Sequence, residues 1–81
     1  MTQTINQPVT VTAVHFTQQF DMVPKRLEFD GVSYDLNDAY TKTLLETDEG
    51  LTELIDVSDG TRQFHLRHGQ TTSWQLLRIS L

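Results

Sequence analysis

The stretch LEFDGVSYDL at residues 27–36 constrains the fold more strongly than any other part of the sequence. Its central Asp30 and Gly31 can supply the two positive φ angles of a type I′ turn, which joins paired antiparallel strands. Apolar and polar side chains then separate onto opposite faces, and a slip of one residue would mix them. The predicted pairs are Phe29 with Val32, Glu28 with Ser33, Leu27 with Tyr34 and Arg26 with Asp35. We therefore predict a β-hairpin.

The same Asp-Gly dipeptide recurs at residues 59–60, and a further Gly-containing turn follows. A two-residue tip at 59–60 predicts the pairs Val57 with Arg62, Ile55 with Phe64 and Glu53 with Leu66. We favour a three-residue loop at residues 68–70, because it pairs Phe64 with Trp74 on the apolar face. The adjacent Leu76 and Leu77 then indicate a change of face along the last strand.

The beginning of the sequence divides into a polar and an apolar part. Residues 1–8 are rich in Thr, Gln and Asn, which predicts a flexible tail. A single β domain is expected over residues 9–81. Alternating β-branched residues predict its first strand over residues 9–16, with a bulge near Ala13. The C-terminal strand is expected to close the sheet against this first strand.

Residues 38–46 are compatible with either a helix or a strand. Asn37 or Asp38 could cap a helix, whereas Thr41 and Thr43 are weak helix formers. We prefer an extended segment over residues 40–45.

These segments together predict an all-β fold, with five or six short antiparallel strands in a meander. There is no alternation of strands with helical segments, so a parallel sheet is not expected. A small, strongly twisted sheet must curl to bury its apolar face, and a small SH3-like barrel is the expected result. The 81 residues include no cysteine, so neither disulfides nor thiolate metal sites can supplement the core.

A longer pattern runs from Pro24 and Lys25 to the last strand. It reads P-K-R-L-x-F-x-G-x-x-Y-x-L from Pro24, then Tyr40, then F-x-L at Phe64 and W-x-L at Trp74. It resembles a small bacterial all-β domain family of unknown function, found as short proteins and sometimes in chains with translesion-type DNA polymerases. The family usually has Trp where this chain has Tyr40. The resemblance implies a small β fold, and it transfers no functional residue.

Side-chain patterns for catalysis are missing from the sequence. There is no nucleophile-elbow, phosphate-binding or dinucleotide-binding motif. His65 and His68 span a strand end and a turn, where two rings need not converge on a metal ion. Acidic pairs such as Asp35 with Asp38 lie near turns, where a dry cleft is not expected. We therefore expect no enzyme, no cofactor and no metal site.

Charge is distributed unevenly along the chain. Its formal net charge is −5, which disfavours nucleic acid as a partner. Residues 61–81 nevertheless contain three arginines and no acid. Pairing of these arginines with acids on adjacent strands is the preferred explanation, and an anion-facing patch is the alternative. If a binding surface exists, we predict that it comprises Gln63, His65, Arg67, Trp74 and Arg78.

The sequence thus favours a non-catalytic module that binds a protein partner, with a nucleic-acid accessory domain as the alternative. No stretch is apolar enough for a membrane span or a signal peptide, so a cytoplasmic location is expected. A monomer or a weak dimer is expected. An edge at residues 9–16 or the C-terminal strand could support the dimer by strand addition.

Overall fold

The computed structural model describes residues 1–48, 50–69 and 74–81, which form eight antiparallel strands and no helix. The strands are β1 (Thr2–Pro8), β2 (Thr10–Phe16), β3 (Met22–Phe29), β4 (Val32–Asp35), β5 (Tyr40–Thr47), β6 (Gly50–Ser58), β7 (Gln63–Gly69) and β8 (Gln75–Ser80). The all-β antiparallel class is confirmed, whereas the expected five or six strands are too few. Within these residues, no helix is long and apolar enough to cross a membrane.

The strands form two sheets that share one core. One sheet has the order β1-β8-β7-β6-β5, and the other has the order β2-β3-β4. The rings of Tyr34 and Phe64 meet between the sheets, with centroids 5.0 Å apart. The described residues form no closed barrel, so the SH3-like barrel is not confirmed. The buried apolar residues are Val9, Val23, Leu27, Leu36, Ile55, Val57, Phe64, Leu66, Trp74 and Leu76.

The hairpin at residues 27–36 has the predicted register. Phe29 pairs with Val32, and the three further predicted pairs follow in step. Asp30 and Gly31 have φ angles of 54° and 77°, as a type I′ turn requires. Turn chemistry and side-chain alternation specify the same pairing here, so the sequence was sufficient to predict the register.

The loop between β6 and β7 is longer than the predicted two-residue tip. Val57 pairs with Phe64 and not with Arg62, so the loop comprises residues 59–62. The carboxylate of Asp59 accepts hydrogen bonds from the backbone N–H groups two and three residues later, at 2.9 and 2.8 Å. These bonds stabilise the wider loop. A register change of two residues keeps each side chain on its predicted face.

The pairing of β7 with β8 also differs from the prediction. Phe64 pairs with Ile79 and not with Trp74. The change of face expected at Leu77 is confirmed, because the register shifts there and leaves Leu77 without a direct partner on β7. The loop predicted at residues 68–70 begins too early, because His68 and Gly69 belong to β7 and pair with β6. Its third residue, Gln70, lies outside the described residues.

The expected flexible tail at residues 1–8 is instead strand β1. It pairs with β8 from Thr2 opposite Ser80 to Pro8 opposite Gln75. Ile5 packs against the core, while the polar side chains remain exposed. Backbone hydrogen bonds do not require apolar side chains, so a polar sequence can form an edge strand. The C-terminal strand therefore closes against β1, and residues 10–16 belong to the other sheet.

Two locally ambiguous segments are resolved as strands. The segment over residues 38–46 contains most of β5, which pairs with β6 from Tyr40 opposite Val57 onward. Strand β2 has register shifts on both sides of Ala13, which confirms the predicted bulge.

Candidate functional site

The outer face of the five-stranded sheet is the face turned away from the three-stranded sheet. Along β7, Phe64 and Leu66 point into the core, so their neighbours point outward. Arg78 pairs directly with His65 and therefore shares that outward side. The structure thus places four of the five predicted site residues together on the outer face, namely Gln63, His65, Arg67 and Arg78.

Trp74, the fifth predicted residue, does not lie on the outer face. Its side chain belongs to the core, with 9% of its surface exposed. Its ring stacks on His68, with centroids 4.2 Å apart and planes 8° from parallel. The backbone carbonyl of Trp74 also accepts a hydrogen bond from the N–H of Val9 at 3.1 Å. This bond extends the pairing of β1 with β8 by one residue beyond Pro8 and Gln75.

His65 is held between two neighbouring strands of the outer face. Its Nδ1 lies 2.7 Å from Oδ1 of Asp56 on β6, and its Nε2 lies 3.0 Å from Oγ of Ser80 on β8. Both ring nitrogens therefore have partners within the sheet. Among the described residues, no group of three or more His, Asp or Glu side chains could hold a metal ion. His65 is thus a structural link across the outer face.

Arg67 and Arg78 differ from the other lysines and arginines in having no acidic partner among the residues that the structure describes. Both are exposed, and neither forms an ion pair with any carboxylate in the described parts of the chain. Arg62 does pair, at 3.3 Å, with Asp59 of its own loop. The preferred expectation of acids on adjacent strands is therefore wrong for Arg67 and Arg78. The remaining cations pair as Lys25 with Asp38, Arg26 with Asp35, and Lys42 with Asp21 and Glu53.

A shallow apolar depression lies beside Arg67 on the outer face. Its lining residues are Leu45, Thr47, Asp48, Thr52, Leu54, Arg67 and Leu77. Leu45 is 43% exposed. Sequence reasoning missed the three leucines, although Leu54 and Leu77 each stand next to a buried residue of their own strand and therefore point away from it. Together they provide an apolar contact surface next to an unpaired guanidinium.

A second group of charges connects the two sheets near β5. Nζ of Lys42 donates to Asp21 at 3.0 Å and lies 3.2 Å from Glu53, while Tyr40 donates its hydroxyl to Asp21 at 3.1 Å. The hydrogen bonds from Lys42 and Tyr40 lower the pKa of Asp21 below its ordinary value. The bond to Asp21 raises the pKa of Lys42, although burial opposes this. No pattern in the sequence could have predicted this group, because Asp21 and Lys42 lie on separate parts of the chain.

Comparison of the chain with protein-family models, curated proteins and solved structures found no match. The family resemblance noted from the residues therefore stays a prediction. Function has to be inferred from the outer face itself.

Proposed function

We propose that this protein is a non-catalytic binding module that recognises an acidic protein partner through its outer face. The supporting observation is that two exposed arginines have no acidic partner in the described part of a chain of net charge −5. Unpaired guanidinium groups bind carboxylates with charge-assisted, often bidentate hydrogen bonds. The adjoining leucines of the depression would contact an apolar side chain of the same partner.

A protein partner fits this surface better than a nucleic acid. Single-stranded nucleic acid binds where bases stack on exposed aromatic rings beside positive charge. No phenylalanine, tyrosine or tryptophan of the described residues projects from the outer face, since those of the five-stranded sheet point inward. The acidic total charge also opposes a phosphate backbone. The nucleic-acid accessory domain remains the alternative that the experiment below tests.

The described carboxylates with shifted pKa values support a role other than acid–base catalysis. Hydrogen bonds from lysines lower the pKa of Asp21 and of Asp38. Burial acts to raise the pKa of Asp59, but backbone N–H bonds within its own loop outweigh it, so the net shift is again downward. A general acid at neutral pH needs a raised pKa. These groups therefore suit permanent negative charge.

Two more detailed expectations from the sequence, the cellular location and the barrel, are part of this proposal. We propose a bacterial protein, as the family resemblance implies, and a cytoplasmic location, as the lack of an apolar span or signal peptide in the sequence suggests. We also propose that the fold acts as a small SH3-like barrel that presents its strands to a partner. A barrel in the strict sense would also require hydrogen bonds between the edges of the two sheets.

Selection from a random-peptide display library tests the proposed partner chemistry. We expect the wild-type protein to enrich peptides that combine Asp or Glu with a Leu or Ile side chain. Arg67→Gln and Arg78→Gln should each weaken binding of a selected peptide about tenfold or more, because each removes charged hydrogen bonds. Arg26→Gln is the matched control, since Arg26 is an exposed arginine on the other sheet.

A single-stranded oligonucleotide provides the second arm of the same experiment. Salt-sensitive oligonucleotide binding that requires Arg67 and Arg78, without enrichment of acidic peptides, would replace the proposal by the nucleic-acid alternative. Enriched peptides that bind both arginine variants as tightly as wild type would show that the outer face is not the site.

A further inference from the structure

The four edge strands of the two sheets differ in how well they are protected from pairing with another chain. A short strand, a β-bulge or a proline commonly hinders pairing of an edge strand with another chain. Strand β4 has only four residues, β2 has a bulge at Ala13, and β1 has a register shift and ends at Pro8. Strand β5 has eight residues, pairs with β6 without a register shift, and contains neither Pro nor Gly. Its only lysine, Lys42, is already bonded to Asp21 and Glu53, and β5 is the longest and most regular edge among the described strands.

Apolar side chains are exposed around this edge. Leu44 of β5 is 56% exposed, and Leu51 of the adjoining β6 is 47% exposed. Both lie on the inward-facing side of the sheet, beyond the part that the three-stranded sheet covers. They line a depression together with Glu53, His68 and Gly69. Both leucines thus remain about half exposed to solvent.

Phe20 projects from the turn next to β5. It is 87% exposed and has a φ angle of 65°, which is uncommon for an aromatic residue. The turn is held by a hydrogen bond from the N–H of Phe20 to the carbonyl of Thr17 at 2.9 Å. The adjacent Asp21 bonds to Lys42 of β5. The turn that carries Phe20 is therefore held to β5 through its neighbour Asp21.

We infer that two copies of this chain associate by antiparallel pairing of their β5 strands, which joins the five-stranded sheets into one continuous sheet. Directly opposed residues must lie on the same face, so only registers centred on a single residue are allowed. Centring on Leu44 places Leu44 against Leu44 of the partner subunit. It also opposes Thr43 with Leu45 of the partner subunit.

Two further features support the register centred on Leu44, namely an opposite-charge pair across the interface and the position of the turn that carries Phe20. Lys42 comes opposite Glu46 of the partner subunit, whereas a register centred one residue earlier would oppose Lys42 with a leucine. Glu46 forms no ion pair among the described residues of the single chain. Leu51 is the β6 neighbour of Glu46. Asp21 holds the turn that carries Phe20 to Lys42, so this register brings that turn towards Leu51 of the partner subunit.

Analytical ultracentrifugation across a wide protein concentration range tests the association. We expect a reversible monomer–dimer equilibrium. Phe20→Ala and Leu44→Asp should each weaken dimerisation about tenfold or more, because each removes apolar contact area at the interface. Val32→Asp is the matched control, since Val32 is 49% exposed on the edge strand β4. A concentration-independent monomer, or a dimer equally stable in the two interface variants, would overturn the inference.

Cysteine cross-linking tests the register and does not depend on the strength of the dimer. The chain has no native cysteine, so introduced thiols are unique. Under mild oxidation, Leu44→Cys should form a covalent dimer. Thr43→Cys and Leu45→Cys should cross-link when mixed but much less when each is alone. Val32→Cys is the control for random collision, and cross-linking of all variants at the control rate would contradict the β5 pairing.

Discussion

At the scale of single residues, the most informative side chains are those whose partners the sequence could not indicate. Arg67 and Arg78 carry the same charge as Arg62, but of these three only Arg62 forms an ion pair with a described carboxylate. The difference depends on which residue stands opposite on the next strand. His65 meets Asp56, whereas Arg67 meets Leu54 and Gln75. Strand alternation was enough to predict that most of the site residues share one face. Which of them would meet an acid could be known only from the observed strand register.

Asp21 makes the stability of the fold depend on pH. Its lowered pKa means that the unfolded chain takes up a proton at higher pH than the folded chain does. Its stabilising contribution is therefore present above the ordinary value of 3.8 and is lost as the pH falls through the lower folded value. Asp21→Asn should lower the free energy of unfolding, measured in urea, at about pH 7 and much less at about pH 3.

Asp30→Asn is the control for the pH experiment. Asn retains the shape and the left-handed conformation that the turn needs, and Asp30 forms no ion pair within the described residues. A difference between wild type and Asp21→Asn that stays constant with pH would contradict the role assigned to Lys42 and Tyr40.

At the scale of elements, the hairpins show when local sequence is sufficient. In the β3–β4 hairpin, turn chemistry and side-chain alternation agree, and every predicted pair is present. In the β6–β7 hairpin, the Asp59 side chain binds the backbone and selects a wider loop, which no alternation pattern reveals. The pairing of β1 with β8 could not be predicted from composition, because it depends on which distant backbone is available.

Gly31 provides a direct test of the β3–β4 turn. Its φ angle is 77°, and a Cβ at this position would meet no atom within 4 Å. Gly31→Ala should therefore lower the free energy of unfolding by about 1 kcal/mol through backbone strain alone. Gly31→Asn should cost clearly less, because Asn tolerates the left-handed conformation. Equal losses for the two variants in urea unfolding would indicate that the turn is not type I′.

At the scale of the whole molecule, two open sheets share one small core and leave two different surfaces exposed. The outer face combines partly exposed leucines with two arginines that have no acidic partner among the described residues. The β5 edge is long and regular and carries the exposed Leu44. Pairing of two β5 strands would place both outer faces on the same side of one continuous sheet, so the proposed partner could meet four unpaired arginines at once.

Strand β1 is expected to contribute to global stability. Removal of residues 1–8 should lower the free energy of unfolding by about 1–3 kcal/mol, because Ile5 leaves the core and β8 loses its neighbour. Ile5→Ser should reproduce part of the loss without shortening the chain. Urea unfolding that is unchanged by the deletion would restore the original expectation of a flexible tail.

The β1–β8 pairing also brings the two ends of the sequence together. The N–H of Leu81 donates to the carbonyl of Met1 at 2.9 Å, and Thr2 lies opposite Ser80. Closing a loop of this length costs about 4 kcal/mol of chain entropy, so this contact is expected to form late during folding. If a short linker joined the two ends and the chain were opened at another turn, the β1–β8 pairing would become a local hairpin. The architecture is thus well suited to circular permutation, with faster folding as the expected result.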